Sequence, residues 1–225
     1  MAGDEEALPK SSSTPEERSR LARAGEGDDL GRILALSDGV FAFAMTLLVL
    51  SLTVPLVSAP TPSEASGPLG VALLKDWTSF LGYAFAFIMI GVWWSAHHRT
   101  FQMIARYDAG LVWINMVLLL QIAVMPFVLS VFVHYSDAMV AVDLFAGIQV
   151  TLGVTNALMW DYAHRAKLLK PTVAGSVATY YHRRGYLTAA VFGASIGISF
   201  VSLTAAELSW ALIFVLARVL GRYVE

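Results

Sequence analysis

Arg32-Ile-Leu-Ala-Leu-Ser-Asp-Gly-Val-Phe-Ala-Phe-Ala-Met-Thr-Leu-Leu-Val-Leu50 is an apolar run of membrane-crossing length, continued by Ser-Leu-Thr-Val to Pro55, with an arginine, a serine and an aspartate near its start. A hydrocarbon crossing takes about 20 such residues. A carboxylate pushed to the bilayer centre costs about 2.5–3.5 kcal/mol, so Asp38 must lie near the interface or find a partner. At helical spacing, Phe43, Leu47, Leu50 and Val54 form one stripe, edged by Gly39, Thr46 and Thr53. Val40, Ala44, Leu48 and Ser51 make up another, mostly aliphatic side. Which of the two faces lipid is left open by the sequence.

The rest of the chain has the same character. Its 225 residues are 57% hydrophobic and 14% charged, against about 25% charged in an average soluble domain. With a mean hydropathy of +0.64, this is the composition of an integral membrane protein. The segments are too long and too evenly apolar for barrel strands, so an all-α bundle is expected. Beyond Gly31 there is room for six transmembrane helices: the first run, then about 69–94, 109–133, 138–163, 185–203 and 206–220. Residues 1–30, rich in Ser, Glu, Asp, Arg and Gly, are expected to form a disordered or loosely helical cytoplasmic tail. Residues 31–225 are expected to form the membrane domain.

Without cysteine, neither a disulfide framework nor a thiolate metal site is available. On a six-span layout fourteen of the fifteen Lys and Arg residues fall on one side, and Lys75 alone falls on the other. The positive-inside rule then places both termini in the cytoplasm.

Several polar groups lie within the apolar segments. Arg32, Ser37 and Asp38 can anchor the first helix by bonding to its neighbours; equally, Arg32 can snorkel to the headgroups while Asp38 caps a turn. His97 and His98 point to different faces of a helix, so a shared metal is a poor account of them, and hydrogen bonding at the membrane border is a better one. Asp143, Asp161, Asn115, Gln121, Gln149 and Asn156 could line the cavity of a secondary transporter or proton-coupled carrier; bonds between helices explain most residues of this kind. The stretch from Gly193 to Ser199, rich in Gly, Ala and Ser, suits close packing of helix backbones. Phosphate loops, nucleophile elbows and a Thr-Val-Gly-Tyr-Gly filter are all missing, so no catalytic role, cofactor or nucleic-acid partner is expected, and side chains must do any ion selecting.

The pattern Arg32-x-x-x-Leu36-Ser37-Asp38-Gly39-Val40-Phe41-Ala42, followed by Thr46-Leu47-Leu48-Val49-Leu50, resembles the start of the first helix in the transmembrane protein 175 family of endosomal, lysosomal and bacterial potassium channels. The family signature has phenylalanine where Leu36 stands, and many members have isoleucine where Phe43 stands. The resemblance implies a weakly potassium-selective cation channel, permeable to K+ and, as in animal relatives, to protons. A single-repeat chain of bacterial type, in a plasma membrane, implies a homotetramer whose first helices line a central pore. Carried over, Phe43, Leu47 and Leu50 form its constriction, and Thr46 adds a ring of hydroxyls beside which K+ would pass. Arg32, Ser37 and Asp38 would hold that helix through Trp94, His98 and Asn115.

Overall fold

A computed structural model describes residues 15–58, 61, 63–173 and 175–221. The chain is helical: α1 (Pro15–Leu47), a short 3-10 turn (Leu48–Ser51), α2 (Ser66–Lys75), α3 (Trp77–Gln102), α4 (Ala109–His134), α5 (Met139–Arg165), α6 (Gly175–Ser199), α7 (Leu203–Ser209) and α8 (Leu212–Gly221). Helix α1 starts well inside the stretch expected to form a tail, with Pro15 at its first position, where a missing N–H leaves no bond unmade. Residues 1–14 of that stretch lie outside the described residues.

The expectation of six transmembrane helices is corrected. Among the described residues four helical stretches are long and apolar enough to cross a membrane: Leu30–Ser51, Trp77–Gln102, Ala109–His134 and Met139–Arg165. The stretch assigned to a fifth crossing belongs to α6, whose first half gathers Tyr180, Tyr181, His182, Arg183 and Arg184 into the same helix and dilutes its apolar content. The stretch assigned to a sixth is broken at Trp210, leaving helices of 7 and 10 residues where about 20 are needed. The second crossing also begins later than hydropathy suggests, because the chain turns at Asp76 and separates α2 from α3.

Local chemistry explains several boundaries. The Asp108 carboxylate accepts from the Leu111 amide at 2.9 Å and so caps α4. Ser202 does the same for α7, accepting from the Ala205 amide at 3.2 Å. Inside α4, Pro126 leaves the Ile122 carbonyl without its helical donor, a break tolerated where neighbouring helices enclose it. Ile90, Ile122, Met125, Leu129 and Phe145 sit at the centre of the core between α3, α4 and α5.

At one end of the bundle the turn after α3 is fastened to the turn after α5. The Ala105 amide donates to the Leu168 carbonyl and the Lys170 amide to the Met103 carbonyl, each at 2.8 Å. Lys167 reaches this junction with φ at 56°, a left-handed conformation that ends α5 sharply.

Helices α5 and α6 approach backbone to backbone. A Cβ added to Gly153 would lie 2.9 Å from the Ala189 nitrogen and 3.1 Å from the Gly185 carbonyl oxygen, and one added to Gly185 would lie 2.7 Å from the Ala157 Cβ. Main-chain atoms cannot swing aside. Gly153→Ala should therefore cost about 1–3 kcal/mol, read as a lower unfolding temperature in detergent. Gly147→Ala, with nothing within 4 Å, is the control and should leave that temperature unchanged.

Candidate functional site

The two sides of α1 meet different surroundings. Phe41, Ala44 and Leu48 are buried, with Ser37 wholly enclosed on the same face. This is the face that packs on α3 and α4. The stripe of Phe43, Leu47, Leu50 and Val54 is turned away from the rest of the chain: Phe43 is 66% exposed and Leu50 75%. Three turns of bulky apolar side chains are thus unused by the chain's own core.

Thr46 lies within this outward surface. Its hydroxyl donates to the Phe43 carbonyl at 2.9 Å. A hydroxyl has one proton to give and two lone pairs, so with the proton committed to the helix the outward oxygen can act only as an acceptor. That is the polarity a cation requires.

Rotation of α1 is fixed by hydrogen bonds from α3 and α4. The Trp94 indole nitrogen donates to Asp38 Oδ1 at 2.8 Å. A second path crosses three helices: His97 Nε2 donates to Asn115 Oδ1 at 2.8 Å, Asn115 Nδ2 donates to Ser37 Oγ at 3.1 Å, and Ser37 donates to the Ile33 carbonyl at 2.9 Å. The direction is self-consistent, because an amide oxygen can only accept and so requires the proton on His97 Nε2. His97, Asn115 and Ser37 are each at most 1% exposed. Phe41 and Phe101 flank the imidazole, with ring centroids 5.4 and 4.5 Å away.

Of the residues expected to anchor the first helix, Ser37, Asp38, Trp94 and Asn115 are brought together. His98 stacks on Trp94 at 5.3 Å and bonds with Gln102 at 3.0 Å, and bonds to no group of α1 among the described residues. Arg32 is exposed and bonds to none of these residues among the described ones. In sequence His97 is one of an adjacent pair of histidines. Which of two adjacent positions on a helix faces inward depends on helix rotation, which tertiary packing sets. The one local signal is aromatic spacing, since Phe101 follows His97 at i+4.

Polar residues that could have lined a transporter cavity are instead mostly paired between helices. Asp143 accepts from Ser199 at 2.7 Å, Gln121 donates to Thr155 at 2.9 Å, and Gln149 Oε1 accepts from the Trp93 indole at 2.7 Å. Asp161 is held by His182 and by the Tyr186 hydroxyl. Asp108, besides capping α4, accepts from the Tyr162 hydroxyl at 2.8 Å and ties α5 to that corner.

Residues 32–126, the part that carries the second half of α1, all of α2 and α3 and most of α4, match the family "Endosomal/lysosomal potassium channel TMEM175". A potassium channel of Streptomyces collinus is 31% identical over 182 residues, covering 78% of this chain and 84% of that protein. One from Chamaesiphon minutus is 36% identical over 152 residues, covering 66% of this chain and 73% of that protein. Among solved structures, that of a lysosomal potassium-selective channel TMEM175 homolog from Chamaesiphon minutus superposes with a TM-score of 0.64 at 28% identity, covering 88% of this chain and 99% of that one.

Proposed function

Since the chain belongs to the TMEM175 potassium channel family, we propose that it is a weakly potassium-selective cation channel in a bacterial plasma membrane, built from four copies around an axis lined by α1. The observation that supports this reading is the division of α1, one face of which is consumed by the protomer while the stripe of Phe43, Leu47 and Leu50 is left outside it.

Around a fourfold axis that stripe becomes three stacked apolar rings. A ring narrow enough to expel water makes an ion shed its hydration shell with no oxygens in return, which closes the path without a physical plug. Four Thr46 oxygens, each with its proton turned back to the helix, supply acceptor lone pairs to a partly dehydrated cation between those rings. Potassium holds its water less tightly than sodium, so a few weak oxygens favour it modestly. Protons are a second permeant ion on this reading.

Sidedness follows from charge. Arg99 and Arg106, with Lys167 and Lys170, gather near the end where the turns after α3 and α5 are fastened together, and the opposite loop after α1 carries no basic residue. On this reading that basic end faces the cytoplasm.

Two measurements test the reading. The mass of the detergent-solubilised particle should correspond to four chains. In liposomes the protein should pass K+ more readily than Na+, and Thr46→Val, which keeps the shape but removes the oxygen, should bring that ratio close to one. A monomeric particle, or a ratio unmoved by Thr46→Val, would count decisively against it.

A further inference from the structure

Away from α1, a cleft of about 350 Å3 lies between α3 and α6, with α5 behind it and the α7–α8 junction at its far end. Its polar groups are arranged by depth. Arg99, Arg184 and Asn156 line one end, Trp93 and Gln149 the middle, and Phe145, Phe192 and Trp210 the other end. Arg99 stands six residues beyond Trp93 on α3, about 9 Å along a helix, and Phe85 stands eight residues to the other side, about 12 Å. The cleft therefore spans roughly two thirds of a hydrocarbon core of about 30 Å.

Two features of this cleft are unexplained by the protein itself. No acidic side chain lines it among the described residues, although two guanidinium groups do. Among the described residues Arg99 donates to Ser95, and Arg184 to the Tyr180 hydroxyl at 3.3 Å, which leaves most of each five-donor fork available. The second feature is Gln149, which is wholly buried. The Trp93 indole can only donate, so it fixes Gln149 Oε1 as the acceptor, and Gln149 Nε2 is left buried with no partner among the described residues. Asn156 Oδ1 is likewise buried and unpartnered.

The geometry points to a binding site for an anionic membrane phospholipid, with its phosphate between Arg99 and Arg184 and one acyl chain running past Gln149 to the aromatic end. The phosphate meets two planar forks suited to its oxygens. A volume near the lower end of the usual range for ligand pockets, about 300–1,000 Å3, admits one chain and keeps the second in the bilayer. A soluble phosphate would satisfy the arginines alone and leave the apolar length beyond them unexplained. The site is separate from the α1 stripe and does not depend on the channel reading.

The test uses the full-length protein in detergent, with lipid retention counted by native mass spectrometry. Phosphatidylglycerol should stay bound at one per chain, and diacylglycerol with the same chains, which carries no phosphate, should bind at least about tenfold more weakly, the worth of one charge-assisted contact. Glycerol 3-phosphate alone should not be retained. Arg99→Gln with Arg184→Gln should abolish the headgroup preference, and Ala96→Phe, which fills the cleft, should lower retention of both lipids. Equal binding of the two lipids by the unaltered protein overturns the proposal without reliance on any variant. Undiminished phosphatidylglycerol binding by the double arginine variant, or retention of glycerol 3-phosphate to the same extent, overturns it as well.

Discussion

Leu47→Ala combined with Leu50→Ala should open a potassium leak in liposomes while leaving the fold intact. Both side chains project from the protomer, Leu50 with 75% of its surface exposed, so their truncation removes little from the protomer's core. If their rings form the dewetted segment, two wider layers readmit water there. Lowering the barrier by about 1.4 kcal/mol already raises flux about tenfold, and removing two rings should exceed that. Leu48→Ala is the contrasting change. Leu48 is 2% exposed and packed in the core, so its truncation should cost about 2–5 kcal/mol in stability and produce no leak in whatever protein still folds. A leak from Leu48→Ala and none from the double variant would mean that the wrong face of α1 has been assigned to the axis.

Asn115→Leu should be the most damaging single change to the way α1 is held. It removes the middle of the path from His97 to Ser37, stranding the buried His97 ring and leaving Ser37 with its bond to the Ile33 carbonyl alone. A stranded group costs about 1–3 kcal/mol, and for a chain of this length that is a fall of about 5 °C or more in unfolding temperature. His98→Ala, one residue along from His97, should cost far less, because it removes only a stacking partner of Trp94 and a bond to Gln102. Thermal unfolding of the two variants in the same detergent decides the matter. A larger loss from His98→Ala would mean that the neighbouring histidine is the one engaged.

This pair of residues also marks where the sequence stops being legible. The 3.6-residue spacing of the first helix is enough to separate Phe43, Leu47 and Leu50 from Ala44 and Leu48, since any helix keeps those sets apart. It cannot say which set is enclosed. Hydropathy likewise finds the stretches that become α4 and α5, because Asp108 caps one and a short turn separates the two. The same sum fails after residue 165. There it counts apolar residues without registering that α6 begins at Gly175 and includes a run of tyrosines and basic groups, or that the chain turns at Trp210. Both depend on where hydrogen bonds begin and end, which composition over a window does not record. The cleft between α3 and α6 was beyond reach for a related reason: Gln149 is visible as an amide in an apolar segment, but only the position of Trp93 settles which of its two ends is used.

The junction of the turns after α3 and α5 bears on how such a molecule can move. Two main-chain bonds at 2.8 Å rivet Met103 and Ala105 to Lys170 and Leu168, so those helix ends travel as one plate. Trp94 rides on α3 and holds Asp38, so a tilt of α3 large enough to turn α1 must carry α5 and its tightly seated neighbour α6 along. The pivot for such a swing belongs at the opposite rim, near the break between α2 and α3 at Asp76, where no comparable rivet joins the helices among the described residues.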